Sequence, residues 1–579
     1  MSATRNPTNA EIAAALDELG DLYELDGAII HRIVAYRNAA KAVRDASVSV
    51  TALALEGRAT ELPGIGQTIQ EKVVALASDG AIPAAVKLRA KFPAGLIEMT
   101  KLPGLGPKRA RRLFDELGID SLEALRTAAE EQRIRALKGF GPKAEEAILA
   151  GIASAEAGAH GQRVVLDRAR AVGEALVDAL RADPAADRVE LAGSARRWTD
   201  SVKDLDVIAT AHDPGALVQA AAGLELVESA SATSESGARL RTHTGMRVDL
   251  RIVAPDQFGN LLQHLTGSKE HNMALRDAAV RSGLHVSEYG VLDDATGVTH
   301  RCATEEEVYA LLGLGYIEPE LRENRGELEA AADGALPELI TAEDLRGDLH
   351  CHTTASDGTA SIEQMAQAAR EAGYEYLAIT DHSASFGFGR HVSPEQLRAH
   401  AAHIRSIDVE GIRLLAGSEV NILPDGGLDY DNTLLESLDW VIASVHSSFR
   451  MPAEAMTARI VQAIENPLVD AIGHPSGRKI ERRPPYDFDA ERVFEAAART
   501  GTMLEINSSP DRRDLNDVHA RAAATAGVGI VINCDAHRVR GFRVARYGIA
   551  TARRAWLDSP QVVNTRPWAE VEALRPRHR

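Results

Sequence analysis

The sequence is poor in cysteine, in long apolar runs and in net positive charge. Each shortage excludes some classes of protein. Three cysteines among 579 residues are too few and too scattered for a disulfide framework, so a reducing, cytoplasmic setting is expected. No stretch of about 18 uncharged apolar residues occurs, which argues against a membrane span. The N-terminus, MSATRNPTNAEIAAALDELG, lacks a charged and then apolar leader, which argues against secretion.

The net charge of −19, taken alone, argues against a nucleic-acid partner, because a surface that binds phosphates is normally basic. The distribution of the charge changes that interpretation. Residues 1–160 carry 20 Lys and Arg against 21 Asp and Glu, so nearly all of the negative charge lies in the rest of the chain. Carboxylates gathered there to hold metal ions would account for the excess. A chain of this length also predicts three to five domains.

A repeated Gly-x-Gly pattern marks the N-terminal region, where apolar residues have helical spacing. The pattern occurs in LPGIGQTIQEKV (62–73), LPGLGPKRARRL (102–113) and LKGFGPKAEEAI (137–148). Glycine lets backbone N–H groups approach a phosphate without a Cβ in the way, and the following helix adds its N-terminal dipole. One copy is typical of a simple turn between helices, whereas three copies resemble helix-hairpin-helix motifs, which bind duplex DNA without sequence preference. The predicted DNA contacts are Gly64, Gly66, Gly104, Gly106, Lys108, Gly139 and Gly141.

Acidic residues on two predicted strands follow this region, in an α+β arrangement. In GSARRWTDSVKDLDV (193–207), Asp204 and Asp206 would lie on one face of a strand, and Asp249 in RVDLR is a candidate third carboxylate. A pair of divalent ions that activates a hydroxyl and holds phosphates needs such a cluster. If the Asp-Leu-Asp pattern is considered alone, the alternative interpretation is that the two aspartates lie at a solvated strand end. The candidate triphosphate contacts before it are Gly193, Ser194 and Arg197.

The order of these motifs resembles that of family X DNA polymerases, the polymerase β kind, over roughly residues 1–320. AYRNAAKAV, LPGIG…EKV, LPGLGP, GSARR, DLDV, RVDLR, LTGS and EYG occur in that family's order. The resemblance implies that Asp204, Asp206 and Asp249 bind two Mg²⁺ or Mn²⁺ ions in a palm domain, with Asp249 a candidate base for the primer 3′-hydroxyl. It also implies contacts with the incoming nucleotide, the nascent pair or the template for Gly193, Ser194, Arg197, Thr266, Gly267, Asn272 and Arg276.

Two departures from the family concern sugar discrimination and lyase chemistry. Vertebrate-type members have Tyr-Phe before Thr-Gly-Ser, whereas this chain has His264 and Leu265, so the exclusion of ribonucleotides is open. Lys72 matches the usual Schiff-base lysine, which could attack an abasic sugar if its pKa were lowered. Thr68 stands where a lysine is common. The alternative for Lys72 is a helix lysine that contacts only phosphate or solvent.

Strands and helices alternate regularly after a charged, turn-rich stretch at 318–347, which predicts parallel strands and a barrel. RGDLHCHTTASDG (346–358) places two histidines on one strand face and an aspartate in the next turn. Further metal-capable residues follow other predicted strands, and the C-terminal strand ends of a parallel barrel meet at one mouth. Cys351 and Cys534 would point away and be buried. The predicted ligands are His350, His352, Asp357, His382, Glu419, His446, His474, Asp535 and His537.

Nine such side chains could hold up to three divalent ions, and mixed nitrogen and oxygen donors suit Mn²⁺, Zn²⁺ or Fe²⁺. Multi-metal sites of this type hydrolyse phosphate esters. The series resembles the polymerase and histidinol phosphatase (PHP) domain, which implies a distorted (β/α)7 barrel. A polymerase core followed by this domain resembles the bacterial and archaeal PolX branch of family X, which implies gap filling together with a Mn²⁺-dependent 3′→5′ exonuclease. An abasic-site endonuclease or a 3′-phosphatase is an alternative activity of the same domain.

The sequence therefore predicts a multidomain α and α+β protein. Its predicted partners are gapped or nicked duplex DNA and a dNTP, its predicted state is a monomer, and its predicted location is cytoplasmic and nucleoid-associated. Two other classes stay open, a DNA-binding PHP phosphatase without polymerase activity and a non-catalytic DNA-end scaffold. The predicted domains are a lyase-like helical domain with the first hairpin (1–90), a helical DNA-binding subdomain with two further hairpins (91–158), a nucleotidyltransferase palm (159–255), a nascent-base-pair-binding subdomain (256–325), a linker (326–345) and the PHP domain (346–579).

Overall fold

The structure, a computed structural model, describes residues 7–102, 105–156, 163–385 and 391–578. The chain divides into two compact units, and the predicted palm (159–255) is shared between them because the segment 192–202 belongs with the later part of the chain. The predicted domain boundaries stay predictions. The first unit contains residues 1–164, 168–191 and 203–254, and the second contains residues 165–167, 192–202 and 255–579.

The N-terminal region of the first unit is helical, as the sequence predicts. Apolar residues spaced three and four apart bury one face of each helix in one of two cores. Ile12 and Val43 are fully buried in one core, and Leu113 and Leu125 are fully buried in the other. The helices are α1 (Asn9–Leu25), α2 (Ile30–Asp45), α3 (Val50–Leu55), α4 (Gln67–Asp79), α5 (Pro83–Arg89), α6 (Ala94–Met99), α7 (Pro107–Leu117), α8 (Leu122–Glu130) and α9 (Pro142–Glu156).

The elements of the predicted palm are β1 (Val164–Val165), α10 (Leu166–Arg181), β2 (Ala186–Leu191), α11 (Gly193–Arg196), β3 (Ser201–Val202), β4 (Leu205–Ala211), α12 (Pro214–Ala222), β5 (Val227–Ser234), β6 (Gly237–Thr242) and β7 (Arg247–Ile252). In the described residues of the first unit, five strands form a sheet in the order β2-β4-β7-β6-β5. The central pair, β4 and β7, is parallel, and the other neighbours are antiparallel. A Cβ on Gly173 would approach Leu191 to 3.0 Å, so this glycine lets α10 lie close against the sheet.

The segment after the palm contains a helical group and a small antiparallel sheet. Its elements are α13 (Phe258–Thr266), α14 (Lys269–Arg281), β8 (Leu284–Ser287), β9 (Gly290–Asp293), β10 (Thr299–His300), α15 (Glu305–Leu311) and α16 (Glu327–Ala332). Glu305 binds Arg196 at 2.6 Å and Arg322 at 2.5 Å in a buried ion-pair cluster. The predicted linker (326–345) includes α16, whose Glu327 is fully buried, so this stretch packs against the rest of the unit.

The C-terminal part alternates strands and helices. The elements are β11 (Gly347–Cys351), α17 (Ile362–Glu371), β12 (Tyr376–Ile379), α18 (Pro394–Ser406), β13 (Arg413–Asn421), α19 (Asn432–Glu436), β14 (Trp440–Ser444), α20 (Ala453–Ile464), β15 (Ala471–Ile472), α21 (Ala490–Thr500), β16 (Met503–Asn507), α22 (Asp517–Thr525), β17 (Ile530–Asn533), α23 (Ala545–Arg554) and α24 (Trp568–Ala573).

These strands form a nearly closed parallel barrel, which confirms the predicted (β/α)7 architecture. The described residues give seven strands that pair in chain order from β11 to β17. The first and last strands meet where the His352 N–H donates to the Ala536 carbonyl at 2.9 Å. Asn564 links the same two strands, because its Nδ2 donates to the carbonyls of Gly347 at 2.8 Å and Ile532 at 2.7 Å. None of the described helices is long and apolar enough to cross a membrane.

Candidate active sites

The barrel carries its nine predicted ligands at or just after the C-terminal ends of its strands. His350 lies in β11 and Glu419 in β13, and the others occupy loops that follow strands. His350 and His352 have no exposed surface, and Glu419 is 1% exposed. Because parallel strands of a barrel end at the same mouth, residues from both ends of the domain meet there. Cys351 and Cys534 are buried beside this mouth, as expected.

The ligand atoms of these side chains form overlapping groups, and within each group all of them lie within 4.8 Å of one another. His474 extends the third group, because its Nε2 lies 2.9 Å from Glu419 Oε1. His352 and His382 each belong to two groups, so the groups are continuous. The structure therefore brings all nine predicted side chains together. The groups are His352, Asp357, His382 and His537; His350, His352 and Asp535; and His382, Glu419 and His446.

Neighbouring polar groups orient several of these imidazoles. His350 Nδ1 donates to Glu505 Oε1 at 2.8 Å, and His446 Nδ1 donates to Asn421 Oδ1 at 2.6 Å. His537 Nδ1 donates to the backbone carbonyl of Asp535 at 2.8 Å. In each of these rings the other nitrogen, Nε2, lies near a carboxylate that belongs to the nine predicted ligands. Proteins orient metal-binding histidines by this kind of contact.

The buried polar atoms of the groups fit divalent cations. His350 Nε2, His352 Nδ1 and His474 Nδ1 are buried and have no hydrogen-bond partner among the described residues. Glu419 Oε2 lies 2.8 Å from His382 Nδ1, and His352 Nε2 lies 3.1 Å from Asp535 Oδ1. A buried polar atom without a partner costs free energy, and a coordinated cation would supply the missing interaction. Mixed imidazole and carboxylate donors suit Mn²⁺, Zn²⁺ or Fe²⁺.

Several of the predicted ligands are in the protonation states that bind metals. Burial acts to raise the pKa of Glu419, but the histidines around it outweigh burial and hold that pKa well below its usual value. Burial lowers the pKa of His352 and of His474 to about 4, so both imidazoles are neutral at pH 7, as ligands must be. Three other histidines hold their proton more tightly. Glu419 and Asp357 outweigh burial and raise the pKa of His382 to about 9. Against the effect of burial, Glu505 and Asp535 raise the pKa of His350 well above its usual value, and Asp357 raises the pKa of His537. A cation that binds His382 must therefore displace a proton.

The palm sheet places the predicted catalytic aspartates beside one another. In the parallel pair of β4 and β7, Asp206 is the direct partner of Asp249, and neighbouring strands lie about 4.8 Å apart. Asp204 immediately precedes β4 and shares the face of Asp206, because side chains alternate along a strand. Such all-oxygen donors suit Mg²⁺ or Mn²⁺. Among the described residues, the three carboxylates are not grouped as closely as the barrel ligands, and Arg251 Nε lies 3.9 Å from Asp249 Oδ2.

The predicted triphosphate-binding residues lie in the second unit. Gly193 begins α11 with φ = 67°, a left-handed conformation that glycine adopts without strain, and Ser194 follows it. The guanidinium of Arg197 donates through Nη1 to the backbone carbonyl of Thr266. A Cβ on Gly267 would approach the same Nη1 to 3.1 Å, so a larger residue there would displace Arg197. The structure thus brings Arg197, Thr266 and Gly267 together.

His264 lies at the centre of the predicted nascent-pair residues. Asn272 Nδ2 donates to the His264 carbonyl at 2.7 Å, and Asn272 Oδ1 accepts from Gln263 Nε2 at 2.9 Å. Arg276 Nη2 lies 3.2 Å from His264 Nδ1. His264 is one of the two residues that depart from the vertebrate-type sequence. Its side chain contacts Arg276, whereas Asn272 contacts its backbone carbonyl, which any residue would supply.

Two of the Gly-x-Gly turns begin with a glycine in the left-handed conformation. Gly64 and Gly139 have φ values of 90° and 89°, in the left-handed region that favours glycine. Gly66 and Gly106 are the N-cap residues of α4 and α7. A Cβ on either N-cap glycine would meet nothing within 4 Å, so the space beside the Cα of each glycine is open.

The other predicted N-terminal residues have different surroundings. Gly141 directly precedes α9, and a Cβ there would also meet open space. Lys108 is exposed in the first turn of α7, and Gly104 lies outside the described residues. Lys72 is half-buried in α4, with its Nζ 5.9 Å from the ring centre of Tyr36, so an aromatic face stabilises its ammonium group.

Sequence reasoning missed Glu505, which is fully buried in β16. Besides His350 Nδ1, its carboxylate accepts from Asn533 Nδ2 at 3.0 Å, from the His474 N–H at 2.7 Å and from Asn507 Nδ2 at 3.1 Å. It therefore fixes two predicted ligands at once. The available signal was an acidic residue inside an otherwise apolar strand, TMLEIN.

Asp381 was missed as well, although it directly precedes His382. The fully buried carboxylate accepts from Thr353 Oγ1 at 2.7 Å, from Ser356 Oγ at 2.5 Å and from His400 Nε2 at 3.0 Å. These contacts shape the turn that carries Asp357. No spacing rule connects His400 with residues this far away in the sequence, so only the fold reveals its partner.

Family models match the chain along most of its length. They are a helix-hairpin-helix domain at residues 7–82, a SAM-like helix-hairpin-helix tandem at 96–154, a DNA polymerase beta thumb at 261–323 and a PHP domain at 348–509. A "Probable phosphatase" of Caldanaerobacter subterraneus is 34% identical over 38% of this chain and 86% of its own length. Another, from Thermoanaerobacter sp. (strain X514), is 32% identical over 40% of this chain and 95% of its own length.

One relative matches both halves of the chain. The "DNA polymerase/3'-5' exonuclease PolX" of Bacillus subtilis (strain 168) is 36% identical over 572 residues, which cover 98% of this chain and 99% of that protein. The match therefore includes the palm strands and the barrel in one continuous alignment. With the helix-hairpin-helix, thumb and PHP models in the same order, this similarity establishes that the chain belongs to the PolX branch of the family X DNA polymerases.

Proposed function

We propose that the chain is a DNA repair polymerase that fills gaps by template-directed synthesis, and that its barrel is a separate 3′→5′ exonuclease. The observation that carries the proposal is the meeting of nine metal-capable side chains at the mouth of a barrel, on a chain whose palm pairs Asp206 with Asp249. The similar Bacillus subtilis protein is named for both activities.

In the palm, Asp204, Asp206 and Asp249 would hold two Mg²⁺ or Mn²⁺ ions. Such ions neutralise the triphosphate and lower the pKa of the attacking primer hydroxyl. Asp249 is the proposed acceptor of the hydroxyl proton. The proposed contacts with the triphosphate, the sugar, the nascent pair and the template come from Gly193, Ser194, Arg197, Thr266, Gly267, Asn272 and Arg276.

In the barrel, the nine side chains would hold up to three ions of Mn²⁺, Zn²⁺ or Fe²⁺. These ions supply a hydroxide near neutral pH and neutralise the scissile phosphate. The neutral imidazoles of His352 and His474 offer lone pairs, and Glu419 offers both carboxylate oxygens. Arg512 Nε lies 3.8 Å from Asp535 Oδ2, so its guanidinium is close enough to the mouth to bind a phosphate oxygen of the substrate.

The N-terminal helices would hold the gapped or nicked duplex beside the palm through Gly64, Gly66, Gly104, Gly106, Lys108, Gly139 and Gly141. Turns of this kind bind phosphates through backbone N–H groups, which is compatible with an acidic chain. A monomer is proposed to act on chromosomal DNA, which implies association with the nucleoid. Lys72 lies in the same region and is the residue to test for lyase activity on abasic sites.

Two relatives that match about two fifths of the chain support a second activity of the barrel, because both are named probable phosphatases. The same groups could remove a 3′-phosphate or cut beside an abasic site, because both reactions hydrolyse a phosphate ester. Digestion assays on ends that carry a 3′-phosphate would measure this activity separately from the exonuclease.

Two double variants test the proposal. Asp204→Ala/Asp206→Ala should abolish extension on gapped DNA and retain Mn²⁺-dependent digestion of 3′ ends. His350→Ala/His352→Ala should do the reverse. If both variants lose both activities, or if the wild-type chain extends no primer, the assignment of two separate active sites is wrong.

A further inference from the structure

The barrel contacts the polypeptide directly after the predicted triphosphate-binding turn. Arg554, at the end of α23, donates through Nη1 to the carbonyl of Arg197 at 2.8 Å. Arg513 donates through Nη1 to the carbonyl of Trp198 at 2.8 Å. All of these residues belong to the second unit. Two consecutive backbone carbonyls of the polymerase segment are therefore held by arginines of the barrel.

Side chains of the same segment contact the barrel as well. Arg478 Nη1 donates to Asp200 Oδ2 at 2.6 Å, and its Nη2 lies 3.3 Å from Asp200 Oδ1. Ser201 Oγ donates to Glu481 Oε1 at 2.8 Å. Charge-assisted, paired contacts of this kind are stronger than neutral hydrogen bonds. The contacts hold residues 197–201 against the barrel at four of five positions.

Glu323 forms ion pairs with both the polymerase segment and the barrel. Its Oε1 accepts from Arg197 Nε at 3.1 Å and from Arg554 Nη1 at 2.8 Å. Arg554 Nη2 also lies 3.0 Å from Asp517 Oδ2. One carboxylate oxygen is thus shared between the arginine proposed to bind the triphosphate and an arginine of the barrel. The sharing leaves Arg197 only partly neutralised, so its guanidinium can still attract a phosphate.

We propose that Arg554, Arg513 and Arg478 are positioning residues for the nucleotide-binding turn of the polymerase, so that DNA synthesis needs the barrel even when the barrel does not digest DNA. The inference rests on the proposed function in one respect, the contact of Arg197 with the triphosphate. Without Arg554, the carbonyl of Arg197 loses its donor and Glu323 pairs with Arg197 alone. Both changes move the guanidinium away from the place where a triphosphate would bind, and small displacements of such groups cost large factors in rate.

The test measures incorporation of one dNTP into single-nucleotide-gapped DNA, with a phosphorothioate at the primer end to prevent digestion. Arg554→Met should lower kcat/KM for the dNTP by about ten-fold or more, mainly through a higher KM. The KM for DNA and the Mn²⁺-dependent digestion of an ordinary 3′ end should stay unchanged. Arg554→Lys, which keeps the charge and one donor, should fall between Arg554→Met and the wild type. Arg478→Met should change kcat/KM in the same direction.

Arg553→Met is the matched control. Arg553 is the neighbour of Arg554 on α23, but it binds Glu320 at 2.8 Å and should leave the KM for the dNTP unchanged. A wild-type KM in Arg554→Met, or an equal rise in Arg553→Met, would overturn the proposal. If Arg554→Met also loses digestion, the barrel is damaged and Arg478→Met decides by the same criterion. A wild-type chain that extends no primer would overturn the proposed function itself.

Discussion

Replacing Glu505 with glutamine is expected to weaken Mn²⁺ binding in the barrel by about 10- to 100-fold, the usual effect of losing a group that orients a metal ligand. The carboxylate accepts from the side chains of His350, Asn533 and Asn507 and from the His474 N–H. Glutamine has a single acceptor oxygen, so its NH2 group would face two of these donors. Two buried donors that lose their acceptor cost roughly 1–3 kcal/mol each. The free energy of unfolding should therefore fall by about 2–6 kcal/mol.

The assay is a Mn²⁺ titration of 3′-end digestion, with calorimetry of Mn²⁺ binding and urea unfolding of the same samples. Asp470→Asn is the matched control, because Asp470 is also fully buried and binds Arg575 at 2.9 Å. It precedes β15, at the end of the barrel away from the ligands. The control should lose stability and keep the wild-type Mn²⁺ midpoint. An unchanged midpoint in Glu505→Gln, or an equal shift in Asp470→Asn, would refute the reasoning.

Three further outcomes are expected. Burial opposes ionisation of Glu305, but Arg322 and Arg196 lower its pKa to about 2 from the usual 4.5; this contributes about 3 kcal/mol of stability. This stability is present above pH 4.5 and is lost as the pH falls towards 2. The difference in unfolding free energy between the wild type and Glu305→Gln should therefore shrink over that range. A constant difference would contradict the ion pair. Gly66→Ala adds a Cβ that meets nothing within 4 Å, so the melting temperature should stay the same while fluorescence anisotropy shows weaker binding to duplex DNA; unchanged affinity would exclude the phosphate contact. Mn²⁺ at a hundred times its Kd should stabilise the fold by about 2.7 kcal/mol. The melting temperature should therefore rise, a chelator should reverse the rise, and His350→Ala should show a smaller rise.

The barrel strands could be predicted from the sequence because each is a largely apolar run, and six of the seven contain or precede a predicted metal ligand. WVIASVH, for example, corresponds to β14 (Trp440–Ser444) followed by His446. The opposite case is β5 (Val227–Ser234), which was not predicted. Its residues are small and polar, and most are exposed, so neither an apolar run nor a regular alternation marks it as a strand. Antiparallel pairing with β6 holds it in the sheet.

The residues of the candidate sites also fall into those that the sequence predicts and those that only the structure reveals. Residues that are proposed to bind metal ions directly, such as Asp206 and His352, stand in short local patterns. Residues that act on them do not, because their partners are distant in the sequence. Arg554 contacts Arg197 across 357 positions, and Glu505 contacts His350 across 155 positions. Only the packed fold determines such pairs, and no spacing within one element predicts them.

The link that Asn564 makes between the first and last barrel strands has a consequence for the order in which the enzyme becomes active. A ribosome synthesises the palm before it adds Asp535, His537 and Asn564. A nascent polypeptide that has not reached Asp535 therefore contains the aspartates proposed to form the phosphodiester bond, while the proposed cutting centre lacks two donors and the barrel is not yet joined. We expect that, during its own translation, the molecule cannot degrade a DNA end until these three residues have been added.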